Sequence, residues 1–410
     1  MSRHDAAPNL WLKLFLPFAA GYFLSYLYRT VNAVLGPVIA RELTLGDNAL
    51  GLLTSTYFLA FGAAQLPLGM LLDRFGPRRV EAGLLVIAAA GALVFGLSDS
   101  LGGLATGRAL IGLGVSACLM ASIKAISQWY TPDRLASMTG WIMASGGLGA
   151  LVAAKPLELT LGFATWQQVV FALAGITLAV AALLWLLVPD KPGAAVAGGF
   201  REQMAGVRSI FASRHFWSYG PMGFWMTGGF MAVQGLWASR WMIELEAMSR
   251  ADIATRLTWI SVAMLAGFVF LGFFATRLVH RGIKLADVYF VAMVLSLLLF
   301  GVITFNPQLA GNWLWPLLGA CFSLSNVGYS LVAQAFPAHL AGRANTALNV
   351  LVFAGAFGLQ WGIGILVDAL RAHDWAVGDA YRLAFILVLA GQAAAIAWLG
   401  HARLQGKVAH

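Results

Sequence analysis

Gly69-Met70-Leu71-Leu72-Asp73-Arg74-Phe75-Gly76-Pro77-Arg78-Arg79 stands between two long apolar runs. Its glycines and proline mark a tight turn. Three arginines and one aspartate make it a strongly charged break in an otherwise oily stretch. The flanking runs, about 48–72 and 80–98, are each long enough to cross a bilayer. The chain is therefore expected to cross, turn through this charged hairpin and cross back.

The same alternation continues in both directions. Apolar spans are predicted at about 11–39, 48–72, 80–98, 101–130, 134–159 and 166–188, and again at about 215–240, 255–279, 285–305, 312–336, 343–370 and 380–402. Of the 410 residues, 60% are hydrophobic and 10% charged, where soluble domains carry about 25% charge. The expected fold is an all-α integral membrane protein with twelve transmembrane helices. It divides into an amino-terminal bundle 1–190, a linker 191–214 and a carboxy-terminal bundle 215–410.

The formal charge of +9 would suggest nucleic acid in a soluble protein. Here it follows from loops that collect Lys and Arg on the cytoplasmic side, and no nucleic-acid partner is expected. Sixteen of the 26 basic residues fall on the side of the 69–79 turn, six on the other side, and four within spans. The turn, the linker and both termini are therefore assigned to the cytoplasm. Cys118 and Cys321 both lie in apolar segments and read as small buried residues rather than a disulfide or metal pair. After span eight, Gly272-Phe273-Phe274-Ala275-Thr276-Arg277-Leu278-Val279-His280-Arg281-Gly282 repeats a small residue followed by a basic cluster. That is the mark of two related halves.

The 69–79 turn resembles the G-x-L-x-D-R-x-G-x-R-R loop of the major facilitator superfamily, at the position that loop holds. Arg108-Ala109-Leu110-Ile111-Gly112-Leu113-Gly114 resembles the superfamily's R-x-x-x-G-x-G pattern in span four. The resemblance implies two pseudo-symmetric six-helix bundles with a solute path between them, opened alternately to each side. It also implies that Asp73 meets the N-terminus of span eleven, so that Asp73, Arg74, Arg78 and Arg79 latch the cytoplasmic gate in the outward-open state, with Arg108 in a structural or general coupling role or in contact with substrate. The arginines of the turn equally satisfy the positive-inside rule, and both readings hold together.

Tyr28-Arg29-Thr30-Val31-Asn32, followed by Pro37, resembles the first helix of anion:cation symporters and organophosphate antiporters, in which an arginine meets an anionic substrate. Tyr28 replaces the aspartate many of them carry. Lys124-Ala125-Ile126-Ser127-Gln128-Trp129-Tyr130-Thr131-Pro132 resembles their span-four exit. The glycine-proline pattern of drug antiporters is absent from Ser145–Pro156.

Charges within spans are functional candidates because an ion at the bilayer centre costs at least a few kcal/mol. Arg29, Arg108, Lys124 and Lys155 are set against one acid assigned to a span, Glu158, an excess of four minus one, or +3. A cavity holding water or an anion accommodates that excess; an apolar surface does not. At a rise of about 1.5 Å per residue, Arg29, Arg108 and Lys155 sit in the outer half and Lys124 toward the cytoplasm. Arg29 is expected to be the main anion contact, since its planar fork matches a carboxylate or phosphate. Lys155 assists, and Tyr57 joins the same wall. Lys155 and Glu158, three apart, can instead pair with each other. Lys124 is a cytoplasmic-side contact or a snorkelling residue.

The second half offers a neutral wall: Gln234 and Trp237, Asn326 and Tyr329, Asn349, Gln360 and Trp361. Each alone also serves helix packing or interfacial anchoring. The function expected is secondary transport of a small organic anion by a monomer embedded in the bacterial inner membrane. The alternative is export of drugs or amphipathic metabolites. Glu158 is the candidate proton carrier; coupling by the substrate itself and uniport are equally compatible with the sequence. No nucleophile–base pair, metal cluster or cofactor loop stands at usable spacing, so neither enzyme activity nor a cofactor or metal is expected.

Overall fold

A computed structural model of the protein describes residues 11–130, 132–189, 200–309, 311 and 313–405, without the side chains of 132, 133, 136, 200–204, 272–280, 338 and 339. Among these residues every regular element is helical. The first half contains α1 (Leu16–Thr30), α2 (Asn32–Glu42), α3 (Asp47–Leu97), α4 (Leu101–Gly114), α5 (Cys118–Trp129), α6 (Pro132–Val152), α7 (Lys155–Thr160) and α8 (Trp166–Leu187). The second contains α9 (Phe200–Phe211), α10 (Arg214–Met222), α11 (Gly229–Ala232), α12 (Ala238–Glu244), α13 (Arg250–His280), α14 (Leu285–Phe305), α15 (Leu314–Ser323), α16 (Val327–Gln334), α17 (Ala338–Arg371) and α18 (Val377–Leu404).

Among the described residues nine helical runs are long and apolar enough to cross a membrane. One of them, α3, has 51 residues, or roughly 76 Å of helix, far more than one crossing needs. It is broken at Gly76, whose φ of 79° and ψ of 159° is a backbone conformation that only glycine adopts readily. The chain folds back there. Thr56 Oγ1 donates to Ala105 O at 3.2 Å, and Phe95 abuts Gly107, so the two arms of α3 stand side by side against α4. The turn read from 69–79 is thus a hairpin inside one nearly continuous helix. Two more runs are interrupted: α1–α2 at Val31, and α10–α12 by π-helical turns at Gly223–Gly228 and Val233–Trp237.

Short turns are held by local caps. Ser100 Oγ accepts from Gly103 N at the start of α4. Thr165 and Gln168 form a reciprocal capping box at the start of α8. Each satisfies N–H groups that the first helical turn leaves open.

The two halves repeat one packing device. A Cβ on Gly149 of α6 would lie 2.2 Å from Phe23 O of α1, and a Cβ on Gly355 of α17 would lie 2.2 Å from Phe224 O in the α10–α11 run. Each half therefore presses one helix onto the backbone of its first helix at a residue without a side chain, the close approach expected of membrane helices.

Several boundaries differ from the sequence reading. The expected linker contains α9, while its residues 191–199 lie outside the described residues. Span five is α6 and α7 with a break at Ala153–Ala154. Arg256, one of the six basic residues counted on the side opposite the 69–79 turn, lies inside α13, is 8% exposed and pairs with Glu246. The assignment of Glu158 as the sole acid within the spans is corrected by Glu81, which lies in the second arm of α3 with 0% exposure.

Candidate functional site

Tyr22, Tyr26 and Arg29 follow at intervals of four and three on α1, which stacks them along one face. The guanidinium carbon of Arg29 lies 4.5 Å from the Tyr26 ring centre, 5.2 Å from that of Phe61 and 5.6 Å from that of Phe353. Phe61 belongs to α3 and Phe353 to α17, so rings from both halves close around this one charge; their own centres are 4.3 Å apart. Cation–π contacts of this kind contribute about 0.5–2 kcal/mol each. They supply no hydrogen-bond acceptor. Arg29 Nε has no partner, and the side chain keeps partial solvent access despite its depth among the helices.

Tyr57 stands between Arg29 and a second arginine. Its ring centre is 5.0 Å from the Arg108 guanidinium carbon, it interacts electrostatically with Arg29, and its hydroxyl donates to Ser25 O at 3.2 Å. Arg108 is 2% exposed. Its Nη1 donates to Tyr28 O at 3.0 Å, while its Nε is unpartnered. Among the described residues no carboxylate lies within ion-pair distance of Arg29 or Arg108.

A chain of amides and a phenol crosses between the halves beside this centre. Tyr329 Oη donates to Asn349 Oδ1 at 2.5 Å, and Asn349 Nδ2 donates to Gln65 Oε1 at 3.3 Å. Gln65 Nε2 in turn reaches Phe61 O and Ser116 O, both at 3.4 Å. Of the expected contacts, Arg29, Tyr57 and Tyr329 stand close enough to interact electrostatically. Gln65, Tyr26, Phe61 and Phe353 were missed. Their signal is the spacing Tyr57, Phe61, Gln65 on α3 and Asn349, Phe353 on α17, which aligns them on one face of each helix.

Other expected contacts are placed elsewhere. Lys155 Nζ binds Glu158 Oε2 at 2.9 Å and Ala251 O at 3.5 Å, so the pair is neutral and leans on α13 rather than on Arg29. Helical spacing of three makes that pairing the cheaper one. Trp237 is fully buried and donates to Gln360 O at 2.9 Å; Trp361 donates to Asn48 Oδ1 at 2.8 Å. Gln234 is engaged by Met264 Sδ at 3.3 Å, and Asn326 by Ser323 O at 3.4 Å. Among the described residues none of these polar groups hydrogen-bonds Arg29; Trp361, through Asn48, is one of the contacts that join the halves.

The hydrogen bonds and ion pairs that join the halves cluster between the Gln65–Asn349 level and the end of the molecule marked by Asp47. Ser239 Oγ donates to Ala33 O at 2.6 Å, Lys155 N to Thr258 Oγ1 at 3.0 Å and Ser261 Oγ to Ala150 O at 3.4 Å. Arg240 binds Asp47 Oδ1 at 2.8 and 3.2 Å and Tyr381 Oη at 3.3 Å. Asp368 accepts from Asp47 N at 3.2 Å and Asn48 N at 2.8 Å.

At the Gly76 end the charged turn is bound within its own half. Asp73 pairs with Lys124 of α5; the resemblance implied its contact with span eleven for the outward-open state. Both residues are thereby neutralised, and Lys124 is no free contact. Arg78 Nη2 donates to Trp185 O at 2.5 Å and lies over that ring; Arg74 lies over Phe75 at 5.2 Å. Arg79 is exposed. Glu81 packs nearby from α3 onto α1 and α5. Its Oε1 lies 2.1 Å from where a Cβ on Gly21 would stand, and neither carboxyl oxygen has a hydrogen-bond partner. Cys118 of α5 is the titratable neighbour.

A family model described as the Major Facilitator Superfamily matches residues 18–359. A hexuronate transporter of Escherichia coli K12 is 26% identical over 172 residues, covering 42% of this chain and 40% of that protein. A probable sulfoacetate transporter of Cupriavidus necator is 24% identical over 171 residues, 42% and 40% of the two chains. A nitrate/nitrite transporter of Nostoc punctiforme is 25% identical over 276 residues, 65% of this chain and 52% of that one. The matched region thus spans about half or less of these relatives' length. Among solved structures, a bacterial homologue of the human lysosomal transporter Spinster, crystallised inward-facing, aligns at TM-score 0.76 and 18% identity over 96% of this chain and 97% of the other. A D-xylose–proton symporter aligns at 0.69 and 15% over 93% and 97%. At such identities the likeness concerns the fold.

Proposed function

Because this chain belongs to the major facilitator superfamily, a family of multi-pass membrane transporters, we propose that it is a secondary transporter of a small organic anion, with sugar acids the leading class. The observation that carries this reading is the pair Arg29 and Arg108 around Tyr57, set deep in the molecule with no carboxylate among the described residues to neutralise them. A buried positive charge without a counter-ion is costly; a bound carboxylate removes that cost and accepts the guanidinium fork. Gln65, Asn349 and Tyr329 offer donors and acceptors suited to hydroxyl groups on the same molecule. The relatives named for hexuronate and sulfoacetate support an organic acid.

In this reading the molecule crosses the membrane twelve times, counting α3 twice and adding the interrupted runs α1–α2 and α10–α12 to the nine. The Gly76 end faces the cytoplasm of a bacterium, as its arginines favour. The seal at the Asp47 end then makes this an inward-facing arrangement. On reopening outward, Asp73 leaves Lys124 for the N-terminus of α17, with Arg74, Arg78 and Arg79 completing the latch.

Glu81 replaces Glu158 as the coupling carboxyl. Glu158 is already neutralised by Lys155, whereas Glu81 is buried with both oxygens unpartnered and changes charge only when its surroundings change. In proteoliposomes Glu81→Gln is expected to keep substrate exchange and lose accumulation driven by a pH gradient. Accumulation equal to wild type removes Glu81 from coupling.

Counterflow of labelled D-galacturonate tests the function itself. Unlabelled D-galacturonate inside the vesicles should drive uptake, and D-galactose, the neutral analogue, should not. Equal response to both defeats the anion reading. The rings of Phe61, Phe353 and Tyr26 favour a second reading, export of amphipathic metabolites, which predicts competition by hydrophobic cations instead.

A further inference from the structure

At the Gly76 end of the second half, α10 and α18 part around a groove of roughly 820 Å³ including its open mouth. Its walls are two indoles. Trp217 is 42% exposed and Trp398 53% exposed, yet neither ring is loose: Trp217 Nε1 donates to Phe211 O at 2.7 Å, and Trp398 Nε1 donates to Trp217 O at 2.8 Å. With both N–H groups spent on backbone, the rings present apolar faces to whatever enters. Arg214 and His401 stand at the rim with Gln405.

Arg214 differs from the basic residues around it. Arg403 is paired with Asp287, and Arg343 is packed against Gly206. Arg214 is exposed and has no ion-pair partner among the described residues. Gln405 Nε2 donates to His401 Nε2 at 2.6 Å, so these two rim groups bind each other and leave Arg214 as the charge at the mouth. The groove opens along α18, where Leu387 and Trp398, eleven residues apart and so on one face of the helix, are exposed at 51% and 53%, a strip of the kind that faces acyl chains.

These features fix the depth and the chemistry of the occupant. Tryptophans near the ends of spanning helices lie at the headgroup level, and arginine there attracts anionic headgroups. We propose that this groove binds the headgroup of an anionic phospholipid. The phosphodiester sits on Arg214, the glycerol region between the two indoles, and one acyl chain along the outer face of α18. A free phosphate would gain the arginine but leave both indole faces bare; a lipid covers both. The site lies apart from Arg29 and does not rest on the transport reading.

Native mass spectrometry of the full chain, extracted from mixed phosphatidylglycerol and phosphatidylcholine vesicles, tests this. Wild type should retain phosphatidylglycerol in preference to phosphatidylcholine, and Arg214→Ala should reduce the retained fraction about fivefold, the weight of one basic residue at a lipid surface. Lys284→Ala, an exposed cation at the same end of the molecule, should leave it unchanged. Equal retention of the two lipids overturns the proposal, as does retention in Arg214→Ala equal to wild type. Displacement of the lipid by millimolar inorganic phosphate also overturns it, assigning the rim to a soluble anion. Since Arg214 is exposed, the variant should fold, and an unchanged melting temperature serves as the check.

Discussion

Arg29→Ala should abolish D-galacturonate counterflow while leaving the folded protein intact. Arg29 is held by rings rather than by acids: Tyr26, Phe61 and Phe353 lie 4.5, 5.2 and 5.6 Å from its guanidinium carbon. Removing it therefore strands no buried carboxylate among the described residues. What it strands is the carboxylate of the substrate. Truncating one member of a buried, hydrogen-bonded charge pair costs about 2–5 kcal/mol, an affinity loss of some 30-fold to several-thousand-fold. Arg29→Lys keeps the charge and loses the planar fork, so it should recover binding only in part. The companion variant is Arg108→Lys. Arg108 is 2% exposed and anchors Tyr28 O, so its loss should lower the melting temperature with or without ligand. Two readouts separate the roles: the melting temperature of the empty protein, and the shift that D-galacturonate adds. An undiminished shift in Arg29→Ala takes Arg29 out of the site. The same shift with D-galactose shows that charge is not what is recognised.

What could be read from the sequence follows from where the information lies. The spans and the 69–79 hairpin depend on local composition and on one glycine, so both appear in the chain itself. Arg29 was legible because a lone charge in an apolar run is anomalous on any face of the helix. Lys155 looked equally anomalous, but its outcome depended on a rotamer that reaches Glu158 and Ala251 instead of the centre. Phe61 and Phe353 could not be distinguished from packing residues, because nothing local says that two rings 292 positions apart meet over one cation. Glu81 closely follows the arginine cluster, and no local signal singles it out. Only its contact with Gly21, 60 positions earlier, reveals burial. Asp47 and Asp368 are 321 positions apart, and their juxtaposition is wholly tertiary.

That juxtaposition supports the second large effect. Gly46, the residue before α3, has no side chain to cap the helix. The cap comes from the other half: Asp368 of α17 accepts from Asp47 N and Asn48 N at 3.2 and 2.8 Å. Hydrogen bonds to a charged acceptor contribute about 1.5–3 kcal/mol each, and a carboxylate at a helix N-terminus about 0.3–1 kcal/mol more. Asp368→Ala removes all of this only when the halves are together; once they part, water serves α3 equally well. The substitution should therefore act on the equilibrium between sealed and open, not on either half. A net loss of about 3 kcal/mol shifts that equilibrium roughly a hundredfold toward opening at the Asp47 end. Arg240 limits the effect, because its bonds to Asp47 and Tyr381 also lie across or beside the seam and remain. Spin labels at Arg41 and His373, exposed residues of the two halves at this end, should report it as a new, longer distance population in Asp368→Ala. Asp368→Asn, which keeps an acceptor without the charge, should give a smaller one. If neither distribution moves, the carboxylate is only a local cap, and the seal is held by Arg240 and by Trp361 on Asn48. The combined variant Asp368→Ala with Arg240→Ala would then open no further than Arg240→Ala alone.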